Sequence, residues 1–288
     1  MDRKTLAGKP PWLKVRACGD RKYLEVLSLL RQYKLHTVCQ EANCPNRGEC
    51  FSSGTATFLI LGPNCTRACT FCNVKHGPVR PVDDREPEYI VRAAEILALR
   101  HVVVTSVTRD DLDDGGADHF ARVIRALRKT PRDLSIEVLT PDFRGRINDI
   151  TTVLEASPDV FNHNVETVPR LYHRVRPGAD YHSSLDVLRE ASRWPTIAVK
   201  SGLMVGLGET TEELNRVFHD LKQAGVQYLT IGQYLAPSAN HHPVARFYTP
   251  DEFDQLGAQA ESAGITSVFS GPLVRSSYHA GEQFRRGK

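Results

Sequence analysis

Ala56-Thr57-Phe58-Leu59-Ile60-Leu61-Gly62-Pro63-Asn64-Cys65-Thr66-Arg67-Ala68-Cys69-Thr70-Phe71-Cys72 decides how the chain is read. Its first six residues are mostly apolar and rich in strand formers. Gly62-Pro63 ends them, which predicts a buried strand running into a loop. That loop carries three thiols within eight residues. Three thiolates on a tight loop leave a tetrahedral zinc site incomplete, whereas an iron-sulfur cluster held by three of them keeps one iron open to another ligand. A zinc knuckle or a thioredoxin-like Cys69-x2-Cys72 pair competes with this reading, but neither has a use for Cys65.

Upstream, Cys39-x4-Cys44-x5-Cys50 offers three more thiols, and Asn43, Pro45, Asn46 and Gly48 between them predict a tightly turning loop rather than a helix or strand. A second three-thiolate cluster is the natural reading. Zinc ribbons favour paired Cys-x2-Cys spacings, and Cys69-x2-Cys72 is the only such pair. Of seven cysteines, six crowd between Cys39 and Cys72. That points to metal binding in a reducing compartment rather than to a disulfide framework. Cys18 lies outside any cluster spacing and is assigned no role.

The 288 residues, 41% of them hydrophobic, suffice for a sizeable core. A net charge of +3 from 37 basic and 34 acidic residues gives no basic stripe, so nucleic acid is not an expected partner. No run approaches the roughly 20 apolar residues of a membrane span, and Met1-Asp2-Arg3-Lys4-Thr5-Leu6 lacks the apolar region of a signal peptide. The expectation is a cytoplasmic protein without membrane contact. Residues 1–19 read as an arm over the body, and Arg285-Arg286-Gly287-Lys288 as a frayed basic end.

A helix is expected from Asp20 to Tyr33 with Leu24, Leu27 and Leu30 on its apolar face. Apolar runs at 56–61, 101–107, 134–139, 160–165, 197–205, 228–234 and 267–270 then alternate with helical patterns such as Phe120, Val123, Ile124 and Leu127, or Leu214, Val217, Phe218 and Leu221. Thr210 with Glu213, and Thr249 with Glu252 around Pro250, read as capping boxes. Such alternation predicts an α/β fold with a parallel (β/α) barrel, partial or complete, of about six βα units. It would occupy residues 55–270, with a cysteine-rich extension at 1–54 before it and a C-terminal segment, 271–288, over the barrel mouth. Polar residues gather at the strand ends, in Thr105-Ser106, Asn164-Val165-Glu166 and Lys200-Ser201, which makes that end the active face.

Cys65-x3-Cys69-x2-Cys72, with Phe71 before the last cysteine, resembles the signature of the radical S-adenosylmethionine (SAM) superfamily. Four further stretches narrow the resemblance: Cys39-x4-Cys44-x5-Cys50, the Thr105-Ser106-Val107-Thr108-Arg109-Asp110-Asp111-Leu112-x-Asp114-Gly115-Gly116 run, Phe161-Asn162-His163-Asn164-Val165-Glu166-Thr167, and Arg275-Ser276-Ser277-Tyr278. Together they resemble the lipoyl synthases over residues 35–281. The resemblance implies insertion of sulfur at C6 and C8 of an octanoyl chain held on a lysine of a lipoyl carrier domain. It implies a catalytic [4Fe-4S] cluster on Cys65, Cys69 and Cys72 that binds and cleaves SAM. It further implies an auxiliary [4Fe-4S] sulfur donor on Cys39, Cys44 and Cys50, with Ser277 as fourth ligand. Thr105, Ser106, Asn164, Glu166 and Lys200, near the strand ends beside the cluster loop, are the candidates for holding SAM. The partners implied are octanoylated 2-oxoacid dehydrogenase E2 subunits or glycine cleavage H protein, an electron donor such as ferredoxin or flavodoxin, and an iron-sulfur cluster carrier. RNA methylthiotransferases also pair an auxiliary cluster with this signature, but they act through a basic RNA-binding surface that this sequence does not display.

Overall fold

The computed structural model describes residues 8–15 and 19–286. Cys18, most of the N-terminal arm and the last two residues of the basic end therefore lie outside the described residues.

One mixed sheet organises the chain. Its strands are β1 (His36–Thr37), β2 (Thr57–Ile60), β5 (His101–Ser106), β6 (Ser135–Leu139), β7 (Val160–Asn162), β8 (Ala198–Val205), β9 (Tyr228–Gln233) and β10 (Ser267–Gly271), side by side in that order. β3 (Asn64–Cys65) and β4 (Lys75–His76) form a separate pair within the second cysteine loop. β1 joins β2 antiparallel, and every other neighbour in the large sheet is parallel. Parallel strands need crossovers, and the helices Glu86–Ile96, Ala117–Arg128, Ile147–Glu155, Tyr181–Ser192, Thr211–Gln223 and Pro250–Ser262 supply them in turn.

Alternation within the strands sorts the two faces. Phe58, Ile60, Val102, Val104, Ile136 and Val138 are fully buried and belong to one core with Phe120, Val123, Ile124 and Leu127 of the second crossover helix. Leu59, Val103, Thr105 and Leu139 face the other way and line a cavity. Both expected capping boxes form, at Thr210 with Glu213 and at Thr249 with Glu252.

The structure corrects several expectations. Of the two forms expected, a partial or a complete barrel, the complete one is not formed: among the described residues the sheet is open, with β1 and β10 as edges that do not pair. The segment after β10 lies against the inner face of the sheet and the first residues of its strands rather than only over the barrel mouth. Asn46, in the loop that follows β1, donates to the Leu273 carbonyl at 2.7 Å. Ser276 accepts from Asn164 on the inner side, and the closing helix Ala280–Arg286 stacks Phe284 near His101 and Tyr228, the first residues of β5 and β9. Arg285 and Arg286 belong to that helix rather than to a frayed end.

The first long helix spans Arg21–Gln32 and starts on an Asp20 cap, but it buries Val26, Leu29 and Leu30 while Leu24 stands exposed. A strict three-residue spacing drifts around a 3.6-residue helix, so Leu24 and Leu30 cannot both sit at its centre line. The first cysteine loop is also more regular than its composition suggests. Cys39 lies in the short helix Val38–Glu41, started by a Thr37 hydroxyl that accepts from Gln40 N–H, and Cys50 lies in Arg47–Ser52. No helix among the described residues is long and apolar enough to cross a membrane.

Candidate active site

The second cysteine loop begins at a strained corner. Leu61 has φ 68° and Gly62 φ 89°, left-handed values that Leu rarely takes. Leu61 N–H donates to Glu86 Oε2 at 3.0 Å, and its carbonyl accepts from Arg109 Nη1 at 3.1 Å, so both polar groups of the turn are held. Gly116, also left-handed, leaves space that the Leu61 side chain occupies, since a Cβ there would collide with it. Two motifs far apart in sequence thus set one corner.

Beyond it the loop is bound on several sides. Thr66 N–H and Oγ1 both donate to the Thr108 carbonyl, at 3.0 and 2.9 Å. Thr70 N–H reaches the Val175 carbonyl, and the Thr70 carbonyl accepts from His242 N–H. Cys65 Sγ accepts backbone N–H groups from Arg67 and Thr108, at 3.4 and 3.3 Å, which orient it toward the cavity side of the loop's anchors. Arg67 inserts between the β5 and β6 loops, pairing with Asp110 through Nε and Nη2 and with Asp142 through Nη1 and Nη2, at 2.6 to 3.0 Å. Burial alone would raise the Asp142 carboxyl, but the Arg67 guanidinium brings it down to about 2.

The first cysteine loop is held mainly by other loops. Asn73 donates to the Glu41 carbonyl, linking the two cysteine segments. Tyr278 Oη donates to Glu49 Oε1 at 2.9 Å, and His279 Nε2 lies 3.1 Å from the same oxygen.

All six cysteines of the two loops are free, and all line one cavity of about 1060 Å³ that Ser277 also lines. Burial pushes the Cys39 and Cys69 thiols up to about 11 and those of Cys50 and Cys72 up to about 12, so only a bound metal would hold these groups as thiolates near neutral pH. Among the described residues no three His, Cys, Asp or Glu side chains converge as one metal ion requires. The donor set fits instead two clusters, each taking three sulfur ligands spaced around several irons.

The remaining expected residues separate into two groups. Asn164 donates to Glu166 Oε1 at 3.1 Å and to Ser276 Oγ at 2.7 Å, and its Oδ1 has no partner, as has the buried Ser106 Oγ. Both residues and Glu166 line the cavity, and such unpaired buried atoms leave hydrogen-bonding capacity for a polar ligand. Glu166 adopts φ 65° between Gly202 and Met204, and burial raises its carboxyl. Thr105 lines the cavity too, but its hydroxyl is spent on the Leu139 carbonyl. Lys200 lies elsewhere: its ammonium is 2.9 Å from Glu137 Oε1, both side chains are 1% exposed, and it is not part of the cavity wall. Burial opposes the Glu137 charge, yet Lys200 keeps the carboxyl ionised.

Sequence reasoning passed over Arg67 and Arg176. Arg67 could have been found as the one charge inside the cysteine loop. Arg176 donates to the Asn164 carbonyl and to Tyr172 Oη while lining the cavity, with no motif to signal it. His163 also faces the cavity. Burial, aided by Arg176, lowers its imidazole to about 4, so it is neutral at pH 7 and donates Nδ1–H to the Thr140 carbonyl.

Residues 59–221 match the radical SAM superfamily. In overall shape the chain is similar to HydG, described as a maturase of the [FeFe]-hydrogenase, with a TM-score of 0.59 at 14% identity over 86% of this chain and 63% of that one. It is also similar to Streptococcus suis SuiB bound to the precursor peptide SuiA, with a TM-score of 0.58 at 10% identity over 86% of this chain and 52% of that one. Fold and cysteine loop thus define a radical SAM protein with a mostly parallel α/β sheet.

Closer relatives narrow the class. The lipoyl synthase of Methylococcus capsulatus is 55% identical over 96% of this chain and 86% of its own length. That of Nitrosococcus oceani gives the same figures, and that of Coxiella burnetii is 52% identical over 94% and 87%. The chain belongs to the lipoyl synthase family. It is accordingly a sulfurtransferase whose cofactors are SAM and [4Fe-4S] clusters.

Proposed function

We propose that Cys65, Cys69 and Cys72 hold the SAM-binding cluster, and that Cys39, Cys44, Cys50 and Ser277 hold an auxiliary cluster whose sulfur is inserted into a carrier-bound octanoyl chain. The observation that carries the reading is the single cavity onto which both cysteine triads and Ser277 open. An unactivated methylene offers neither an acidic proton nor a leaving group, so when bound the two clusters and SAM supply the radical chemistry and the sulfur.

The chain's own residues position and exclude. Arg67 fixes the catalytic loop between two strand ends. Asn164, Glu166 and Ser106 are the groups placed to hold SAM. Thr105 and Lys200 support them, Thr105 by tying β5 to β6 and Lys200 by neutralising Glu137 beneath. Leu59, Val103, Leu139, Leu203 and Met204 line the same cavity and suit an alkyl chain. A cysteine-rich N-terminal extension, 1–54, and a C-terminal segment, 271–288, flank a partial (β/α) barrel at 55–270. The partners are octanoylated E2 or H-protein domains, a ferredoxin or flavodoxin and a cluster carrier, with the reaction placed in the cytoplasm.

Mass spectrometry of an octanoylated carrier peptide after anaerobic incubation with SAM and a reductant tests the reading. The expected product carries two added sulfur atoms and free octanoate reacts poorly. An unchanged carrier beside consumed SAM would overturn it.

A further inference from the structure

The geometry points to Ser276, not its neighbour, as the positioning residue that sets the register of the C-terminal segment and thereby aims Ser277 at the auxiliary site. The inference rests on the proposed ligation by Ser277.

Two glycines on neighbouring strands make the bed for this segment. At Gly202 of β8 a Cβ would lie 2.6 Å from Thr230 Oγ1, 2.8 Å from Asn164 Oδ1 and 2.9 Å from Ser276 Oγ. At Gly232 of β9 a Cβ would run into the Val274 carbonyl oxygen. Neither glycine has a positive φ, so space rather than backbone conformation is what they provide. At these two positions the chain can lie directly on the sheet.

Into that bed Ser276 places its hydroxyl, which accepts from Asn164 Nδ2 at 2.7 Å. The other Asn164 amide proton goes to Glu166 Oε1, so the serine is tied to the groups proposed for SAM. On the opposite side the same segment is pinned to the auxiliary loop by Asn46 at Leu273 and by Glu49 at Tyr278. Between these fixed points one residue has little freedom to rotate about the chain. With the Ser276 hydroxyl committed to Asn164, Ser277 is the hydroxyl left for the auxiliary iron. Two adjacent serines thus have separate duties, one as anchor and one as ligand.

The test uses the full chain with Cys65, Cys69 and Cys72 replaced by Ala, so that all bound iron belongs to the auxiliary site, and follows iron transfer to a chelator together with the Mössbauer signature of an oxygen-ligated iron. Ser276→Ala is expected to speed iron release roughly 2- to 10-fold, the range one hydrogen bond of this kind commands, and to reduce the oxygen-ligated fraction. Ser276→Thr, which keeps the hydroxyl, should restore both. Ser277→Ala should lose the oxygen-ligated signature completely. Wild-type release and signature in Ser276→Ala, beside a changed Ser277→Ala, would overturn the positioning role alone. If Ser277→Ala also leaves the signature intact, the ligand reading itself fails. Gly202→Ala, which pushes a methyl group onto the Ser276 hydroxyl, should reproduce the Ser276→Ala signature, and an unaltered signature there would equally overturn the inference.

Discussion

The two cysteine loops carry the same number of thiols and face the same cavity, but they are held in different ways. The loop of Cys65, Cys69 and Cys72 grows out of β2, a strand paired on both sides, turns at a corner fixed by Glu86 and Arg109, and is bolted to two further strand ends through Thr66 and Arg67. The loop of Cys39, Cys44 and Cys50 follows a two-residue edge strand and depends on contacts with a segment more than 200 residues later. A cofactor that must survive many reactions gains from the first mounting. On the proposed assignment, the cluster that is dismantled as a reagent has the second mounting, which leans on a single distant segment.

The largest effect should come from removing either set of thiols. With Cys65, Cys69 and Cys72 all changed to Ala, SAM cleavage should vanish and iron fall to half of the roughly eight atoms expected for two four-iron clusters. The corresponding Cys39, Cys44 and Cys50 variant should lose the same iron yet still cleave SAM, measured as 5′-deoxyadenosine. Cleavage surviving in the first variant would erase the division of labour between the loops.

Next in size is Arg67→Ala. It strands the Asp142 carboxylate, whose side chain is 4% exposed, and losing one partner of a buried pair costs about 3 kcal/mol. Denaturant unfolding should show that loss, and the iron of the catalytic loop should become the more easily released. A loss below about 1 kcal/mol would place Arg67 among ordinary surface pairs.

The same pair predicts an acid limb. Asp142 is held down to about 2, below its unfolded value of about 3.9, so its contribution is fully present above about pH 4 and fades as pH falls toward 2. Arg67→Ala should flatten that part of the stability profile. An unchanged slope would assign the acid sensitivity to other carboxylates.

The smallest effect is expected at the clasp of the first loop. Glu49 is half-exposed, and Glu49→Gln keeps an acceptor for Tyr278 while removing the charge beside His279. Auxiliary iron release should change by less than about threefold, as for an exposed pair. A larger change would mean that this clasp, rather than Ser276, governs the segment.

What the sequence disclosed was what is local. Thiol spacing, the two capping boxes and the alternation of apolar runs with helical patterns each depend on neighbours a few residues apart, and each reappears in the structure. Whether the sheet closes was left between a partial and a complete barrel, because closure depends on strand tilt and on pairing between elements far apart in sequence. Proline, glycine and asparagine around Cys44 suggested a loop throughout, yet a single Thr37 cap suffices to start a helical turn at Cys39. Lys200 read as a strand-end polar group, since its partner Glu137 sits 63 residues away and nothing near Lys200 announces it. The Arg67 clamp was hidden for the same reason, its two carboxylates lying on separate strand ends.

The segment after β10 has a consequence for biosynthesis. Residues 272–286 leave the ribosome after every strand they rest on, so the loop of Cys65, Cys69 and Cys72, whose described anchors lie no further along than His242, can be held before the contacts at Asn46, Glu49 and Asn164 form. The contacts of the first cysteine loop with this segment are therefore among the last that the growing chain can complete.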